Sequence, residues 1–355
     1  MAERYHPDTD QVAFADAVGK SLLSILPLSR LHDAHEESAQ IWADLKSLGV
    51  FEISTSEQQG GSGLGAAEEA LIVLELGRRV VAPSVLATVG ATHLPCAANG
   101  SPSSAGRRVA AGYRRDHVPP AGARGRSAPS GSQAKTGEAG EDRVVFVEDA
   151  AANLLLVRSA SGGGLYAYPT SSRAVDTQLW SSRLLQADRL GELLVEATPT
   201  QALRLRLLDA AALAGLARAA LEMAVAYAAM REQFGRPIGS FQAIKHHCAD
   251  MALAARLAGD LVTFAAVAVD DGRDDAVLQV ESALYVAGSA AIDNCGKNIQ
   301  IHGGIGFSDE ADPHLLLKRA RVLLEIAGGL EAALARIGAC APSTELTEHV
   351  ERGAK

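Results

Sequence analysis

The sequence predicts an α+β protein with a helical first part, a middle region of short antiparallel strands and a C-terminal bundle of long helices. Three observations carry that expectation. Apolar residues recur at three- and four-residue spacing up to about residue 108 and again from about residue 199. Between those limits, short apolar runs alternate with clusters of turn residues. The late helices are too long and too apolar to bury only one side, as helices of a bundle that also meets other subunits would be. The expected divisions are residues 1–108, 109–198 and 199–355.

Each element follows in order. The stretches QVAFADAVGKSLLSIL, ESAQIWADLKSLGV and AAEEALIVLELGRRVV read as three amphipathic helices, with Gly49 ending the second. QQGGSGLG is the loop into the third. A Gly-, Ser- and Pro-rich segment over 119–142 reads as a mobile loop. RVVFVED, NLLLVRS, GLYAYPTS and RLGELLVEA then read as strands of a small antiparallel barrel or sandwich. Three long helical runs follow from residue 201, the first interrupted by Gly235 and Pro237, and a single last helix is expected after Pro313.

Composition narrows the function. A net charge of −9 argues against nucleic-acid binding. No run of 18 consecutive apolar residues appears, and the N-terminal stretch lacks a secretory layout, so a cytoplasmic protein with no membrane span is expected. Cys96, Cys248, Cys295 and Cys340 show no C-x-x-C spacing, which leaves no metal or redox reading. His246 and His247 point about 100° apart on a helix and cannot share an ion. GGSGLG is not a G-x-G-x-x-G and follows no strand, so it reads as a plain loop.

Two stretches break the helical texture. REQFGRPIGSFQ places Arg231, whose planar fork suits a pyrophosphate, before a Phe-Gly break. QIHGGIGF offers the Gln300 amide beside two glycines, Gly303 and Gly304, where a ligand could approach the backbone. Their plain alternatives are a solvated helix charge and a helix C-cap.

Taken together, REQFGRPIGSFQAIKHHCADM and QIHGGIGFSDEADPHLLLKRA resemble the R-x-x-F-G-x-x-I-x-x-F-Q and Q-x-x-G-G-x-G segments of the acyl-CoA dehydrogenase family. The stretch from Leu45 to Ser84 resembles its N-terminal helical domain, and VVFVEDAAANLLLV a strand pair of its β domain. The resemblance implies that fold, with an N-terminal helical domain, a middle antiparallel β domain and a C-terminal four-helix bundle. It also implies a reaction in which a hydride leaves Cβ of an acyl-CoA for FAD while a carboxylate removes a proton from Cα. FAD in the family spans two subunits. By resemblance, Arg231, Gln233, Phe234 and Gln242 would meet a neighbour's FAD, with Arg231 on its pyrophosphate, and Gln300, Gly303 and Gly304 would hold its ADP portion.

The departures from the family pattern shape the functional expectation. Ala327 stands at the position of the family's catalytic Glu, followed by Gly328 and Gly329. Glu325 lies roughly 200° away around a helix. Leu205 stands where a minority of the family places the base, with Asp209 one turn on, and Arg206 falls near a family arginine of the thioester pocket. The Y-x-x-T-E-P-x-A-G-S-D and K-x-W-I-T-N segments that hold the flavin ring have no counterpart. Losing a general base costs roughly 10²–10⁴ in rate. The pattern resembles the non-catalytic subunit of heteromeric α2β2 acyl-CoA dehydrogenases of actinobacterial steroid side-chain degradation. It implies a partner subunit that carries the base and a shared FAD. A self-sufficient homotetramer using Glu325 or Asp209, and a flavin-free scaffold, remain alternatives.

Overall fold

The computed structural model describes residues 5–32, 36–94, 107–114, 143–159, 162–175 and 182–340. The loop expected at 119–142 and Cys96 lie outside them. The first helical part holds α1 (Thr9–Ile25), α2 (Ala39–Ser47), α3 (Ala66–Arg78) and α4 (Pro83–Ala91). Asp8 and Gln11 form a capping box that starts α1, and Ser38 caps α2. Gly49, with φ of +79°, follows α2 as its position predicts. The GGSGLG stretch is a loop that ends at Gly65, the N-cap of α3.

Seven strands form one sheet in the order β5-β6-β2-β1-β3-β4-β7. They are β1 (Val109–Tyr113), β2 (Val144–Val147), β3 (Leu154–Arg158), β4 (Gly163–Ala167), β5 (Arg173–Ala174), β6 (Leu184–Ala187) and β7 (Leu193–Glu196). The sheet is not wholly antiparallel, because β1 and β3 run parallel, Val109 opposite Leu154 and Tyr113 opposite Arg158. The chain leaves β2 on one side of β1 and crosses to add β3 on the other. Central β3 is buried along its whole length, which explains its unbroken LLLV run. Its alternate residues serve two clusters: Leu154 and Leu156 face α4, Leu205, Val322 and Ile326, while Leu155 and Val157 pack with Val144 and Phe146.

The C-terminal part consists of α5 (Pro199–Met230), α6 (Gln242–Asp270), α7 (Ala276–His302), α8 (Pro313–Ile326) and α9 (Gly329–Ala339). Thr198 and Gln201 form the capping box of α5, with Pro199 in its first turn. The single last helix expected after Pro313 is two, since Gly328 and Gly329 both take positive φ and break it. By length and composition α5 and α6 would pass as membrane spans, a property that counting consecutive apolar residues missed. Half of the apolar window of α5 is buried within the bundle.

Two features lock the first helices onto the bundle. The Asp270 carboxylate, at the end of α6, accepts the N–H groups of Ala66 and Ala67 at 2.5 and 2.9 Å and so caps α3 from another region. Gly77 of α3 and Gly215 of α5 sit at a close helix crossing. A Cβ on Gly215 would collide with the Leu74 carbonyl, and one on Gly77 with the Ala212 carbonyl. Backbone cannot move aside as a flexible side chain can. Gly215→Ala is therefore expected to lose about 1–3 kcal/mol of stability, read by denaturant unfolding. An unchanged midpoint would show that the crossing can open.

Candidate functional site: one end of the bundle

Helix α5 ends at Arg231, whose backbone turns extended while its N–H still donates to the Tyr227 carbonyl at 2.8 Å. The Ile238 N–H returns to the Arg231 carbonyl at 2.8 Å, which closes a small hairpin of strands β8 (Glu232–Gln233) and β9 (Arg236–Pro237). Its two central residues, Phe234 and Gly235, have φ of +55° and +74°. Tight two-residue hairpins use such left-handed pairs, but a phenylalanine there costs about 1 kcal/mol or more. Phe234 is nevertheless 92% exposed. The chain thus strains its backbone to hold an aromatic ring in the open. Phe241 braces the hairpin, with the Arg236 guanidinium 4.2 Å from its ring centroid and the Phe234 ring edge-on at 6.1 Å.

Gln242 opens α6 directly after this hairpin. No side chain caps that N-terminus, so its first N–H groups present the positive end of a 29-residue helix. Gln233, Arg231 and Gln242 are all exposed, and the Gln233 amide donates to the Glu232 carbonyl at 2.6 Å. Helix α7 ends at the same place. The His302 ring stacks on Tyr227 at 4.0 Å and contacts the Asn298 carbonyl through Nδ1, which ties the C-terminal ends of α5 and α7 together. Burial holds His302 below the usual histidine range. Gln300, Gly303 and Gly304 are exposed beside it. Gly303 has φ of +67°, which calls for glycine, whereas a Cβ on Gly304 would meet only open space. Within this chain nothing demands glycine at 304.

All seven residues expected to contact FAD therefore gather at one end of the bundle, formed by the ends of α5 and α7 and the start of α6. Their chemistry fits the ADP part of a dinucleotide, with a guanidinium, uncapped helix N–H groups, three amides and a Cβ-free approach. With Phe234, the neighbouring Met230, Ile305 and Phe307 are exposed apolar side chains, an uncommon concentration for a surface left in water.

The acids lie elsewhere, Asp209 between the sheet and the bundle and Glu325 beside a cavity at the sheet, and Arg206 sits among α5, α7 and α9. Ala327 ends α8, is 6% exposed and packs into the bundle core. The Tyr113 ring crowds Gly328, where a Cβ would come within 3.3 Å of it. Glu325 is exposed and borders a cavity of about 620 Å³ whose wall includes Tyr113, Val145, Val147, Leu184 and Val322. Leu205 is buried behind that wall with Val322 and Ile326.

Asp209 and Arg206 are each committed to a buried ion pair. Arg158 of β3 meets Asp209 at 2.7 Å, and both side chains are almost wholly buried. Burial pushes the Asp209 carboxyl up while Arg158 pulls against it. Arg206, expected near a thioester, instead meets Glu281 of α7 at 2.5 Å, and Arg336 of α9 meets the same carboxylate at 2.8 Å. Burial lowers the Arg206 guanidinium from its usual value. These are short contacts between opposite charges, held inside the molecule. The sequence reading missed Arg158, Glu281 and Arg336. Their only signal was a charge inside an apolar run, as in LLLVRS and VESALYV.

A second polar junction was also missed. Glu69 of α3 accepts from Arg204 of α5 at 2.7 Å and contacts His93 Nε2, just beyond α4, at 2.9 Å. Burial alone would raise the Glu69 carboxyl, but His93 and Arg204 outweigh it and hold it below the usual carboxylate range. A carboxylate depressed on folding adds stability above its unfolded pKa and loses it as pH falls through the folded value. The melting temperature should therefore drop below about pH 4. Glu69→Gln should flatten that part of the profile, and an unaltered acid slope would remove Glu69 from the account.

Comparisons with known proteins identify both helical parts of the chain. The model for the acyl-CoA dehydrogenase N-terminal domain matches residues 8–105, and that for the C-terminal domain matches residues 196–341. The chain belongs to the acyl-CoA dehydrogenase family, whose members bind FAD. Among its relatives, the acyl-CoA dehydrogenase IpdE2 of Mycobacterium tuberculosis is 30% identical over 78% of each chain. The acyl-CoA dehydrogenase FadE34 of the same organism is 34% identical over 84% of this chain, which spans only 42% of FadE34. The fold is shared with the ChsE4-ChsE5 complex from M. tuberculosis, with a TM-score of 0.69 and 19% identity, covering 96% of this chain and 100% of that one.

Proposed function

We propose that this chain is the base-deficient subunit of a heteromeric acyl-CoA dehydrogenase. It would grip the ADP side of an FAD whose flavin ring is held by a catalytically complete partner, in an α2β2 assembly in the cytoplasm. FAD, when bound, would supply the hydride acceptor for α,β-desaturation of an acyl-CoA, with a steroid side-chain thioester as the favoured substrate class. The observation that carries this reading is the separation of two sets of residues. The residues matched to the family's dinucleotide contacts are clustered and exposed, while the position matched to the catalytic Glu is a buried alanine. Asp209 cannot readily replace it, because its carboxylate is engaged by Arg158 inside the core. The relationship to the acyl-CoA dehydrogenases FadE34 and IpdE2 supports the reaction class, and the fold shared with the ChsE4-ChsE5 complex is in keeping with a partner chain.

In this proposal, Arg231 and the first turn of α6 would neutralise the pyrophosphate, Gln300 would orient the ADP portion, and Phe234 would close over it against water. The test is to purify the chain alone and with an acyl-CoA dehydrogenase homologue encoded beside it. Flavin and dye-linked dehydrogenase activity are expected only in the mixture. Full activity from the lone chain would overturn the subunit role. One observation favours the self-sufficient reading, namely Glu325 on the wall of the 620 Å³ cavity. If that acid were the base, Glu325→Ala would abolish turnover. The subunit reading expects the variant complex to keep its rate.

A further inference from the structure

A second cavity, of about 160 Å³, lies in the first helical part, where α2 meets α4 and the start of β1. Its deep wall is made by Trp42, Phe51 and Thr88, all buried. Trp42 and Phe51 stack with ring centroids 5.2 Å apart. The Thr88 hydroxyl is already engaged, donating to the Ser84 carbonyl at 2.8 Å and accepting the Val109 N–H at 3.0 Å. The deep wall therefore offers a ligand aromatic surface and little polarity.

The outer wall is the opposite. Lys46, Arg107 and Arg108 stand there beside Ala43, and no carboxylate lines the cavity, in a chain whose net charge is −9. Arg108 lies over the Trp42 ring at 4.6 Å, and its nearest acid, Asp149, comes only to 3.9 Å. Lys46 and Arg107 make no hydrogen bond or ion pair among the described residues. Lys46, in the last turn of α2, also suits the negative end of that helix. Arg107 belongs to no helix and has no such reason to be there. Trp42 adds a second sign, since its Nε1–H is buried without an acceptor among the described residues.

We propose that this cavity binds a small aryl carboxylate. A protein cavity of ~150 Å³ holds benzene, so a single ring fits the space between Trp42 and Phe51 and the rim. Its carboxylate is then left with Lys46 and Arg107, whose charges nothing else answers. A rigid ring loses less freedom on entry than an aliphatic chain of equal volume, and an inorganic anion would leave the aromatic wall uncovered.

Titration calorimetry of the purified chain with benzoate should give a dissociation constant of roughly 0.1–1 mM. Trp42 fluorescence, isolated by Trp180→Phe, should change over the same range, because the chain has two tryptophans. Lys46→Ala combined with Arg107→Ala should weaken binding at least about 10-fold. Ala43→Phe, at an exposed helical position, should block the opening, and circular dichroism should be unchanged in both variants. Benzamide keeps the ring without the charge, and inorganic phosphate the charge without the ring; each should bind at least about 10-fold more weakly than benzoate. Absence of benzoate binding, or phosphate binding as tight as benzoate, would overturn the proposal. So would a constant unchanged in the double variant, or a benzoate response that survives Ala43→Phe, which would place the ligand in another cavity. These outcomes do not depend on which subunit performs the chemistry.

Discussion

Glu281→Ala is expected to destabilise the protein by about 3–5 kcal/mol, because it removes the carboxylate that two largely buried guanidinium groups both contact. Glu281 is fully buried, and the Arg206 and Arg336 side chains are mostly so. Their positive charges repel each other, and both side chains are largely enclosed by α5, α7 and α9. Replacing the trio together by Met and Leu should recover much of the loss, since apolar residues of similar volume carry no desolvation penalty. Urea unfolding of the single and triple variants measures both effects. A single-variant loss below about 1 kcal/mol would mean that water enters the cluster, contrary to the burial described.

In the heteromer proposed above, Arg231→Ala is expected to weaken FAD binding about 10–100-fold, the equivalent of the one or two charge-assisted hydrogen bonds to phosphate assigned to it there. Arg231 is exposed and makes no salt bridge among the described residues, so the fold of the chain should be unaffected. Lysine should restore part of the affinity by charge but not the two-pronged contact of arginine. Flavin fluorescence titration of the reconstituted complex reads the change. Equal FAD affinity in wild type and alanine variant would remove Arg231 from the dinucleotide site, and with it much of the reason for a shared cofactor.

The helices with one apolar stripe, α1, α2 and α3, could be read from the sequence because burial on one side writes a 3.6-residue period. Helix α4 could not, since all nine of its residues are buried and no polar side marks its period. The α8–α9 break went unread because the glycines at 328 and 329 were taken as part of a motif rather than as two positive-φ positions. Strand β5 is two residues long, too short to show alternation. The cluster at the end of the bundle was legible as a surface feature because a Phe-Gly break and a glycine pair stand out within helical sequence. The Glu281 cluster was not, because a lone charge on an amphipathic helix normally marks the wet side. Only the packing of three elements around Glu281 reveals that this charge points inward.

The cap that Asp270 places on α3 has a consequence for how the molecule can be divided. The start of one helix is satisfied by the end of another about two hundred positions later, with the entire strand region threaded between them. A cut at the change of texture near residue 108 would strip α3 of its anion and expose the Gly77–Gly215 crossing in a single stroke. Neither fragment would then keep its share of the interior. Heat should melt both helical regions in one transition, and recombining halves from different relatives should succeed only where the acid and the glycine pair travel together.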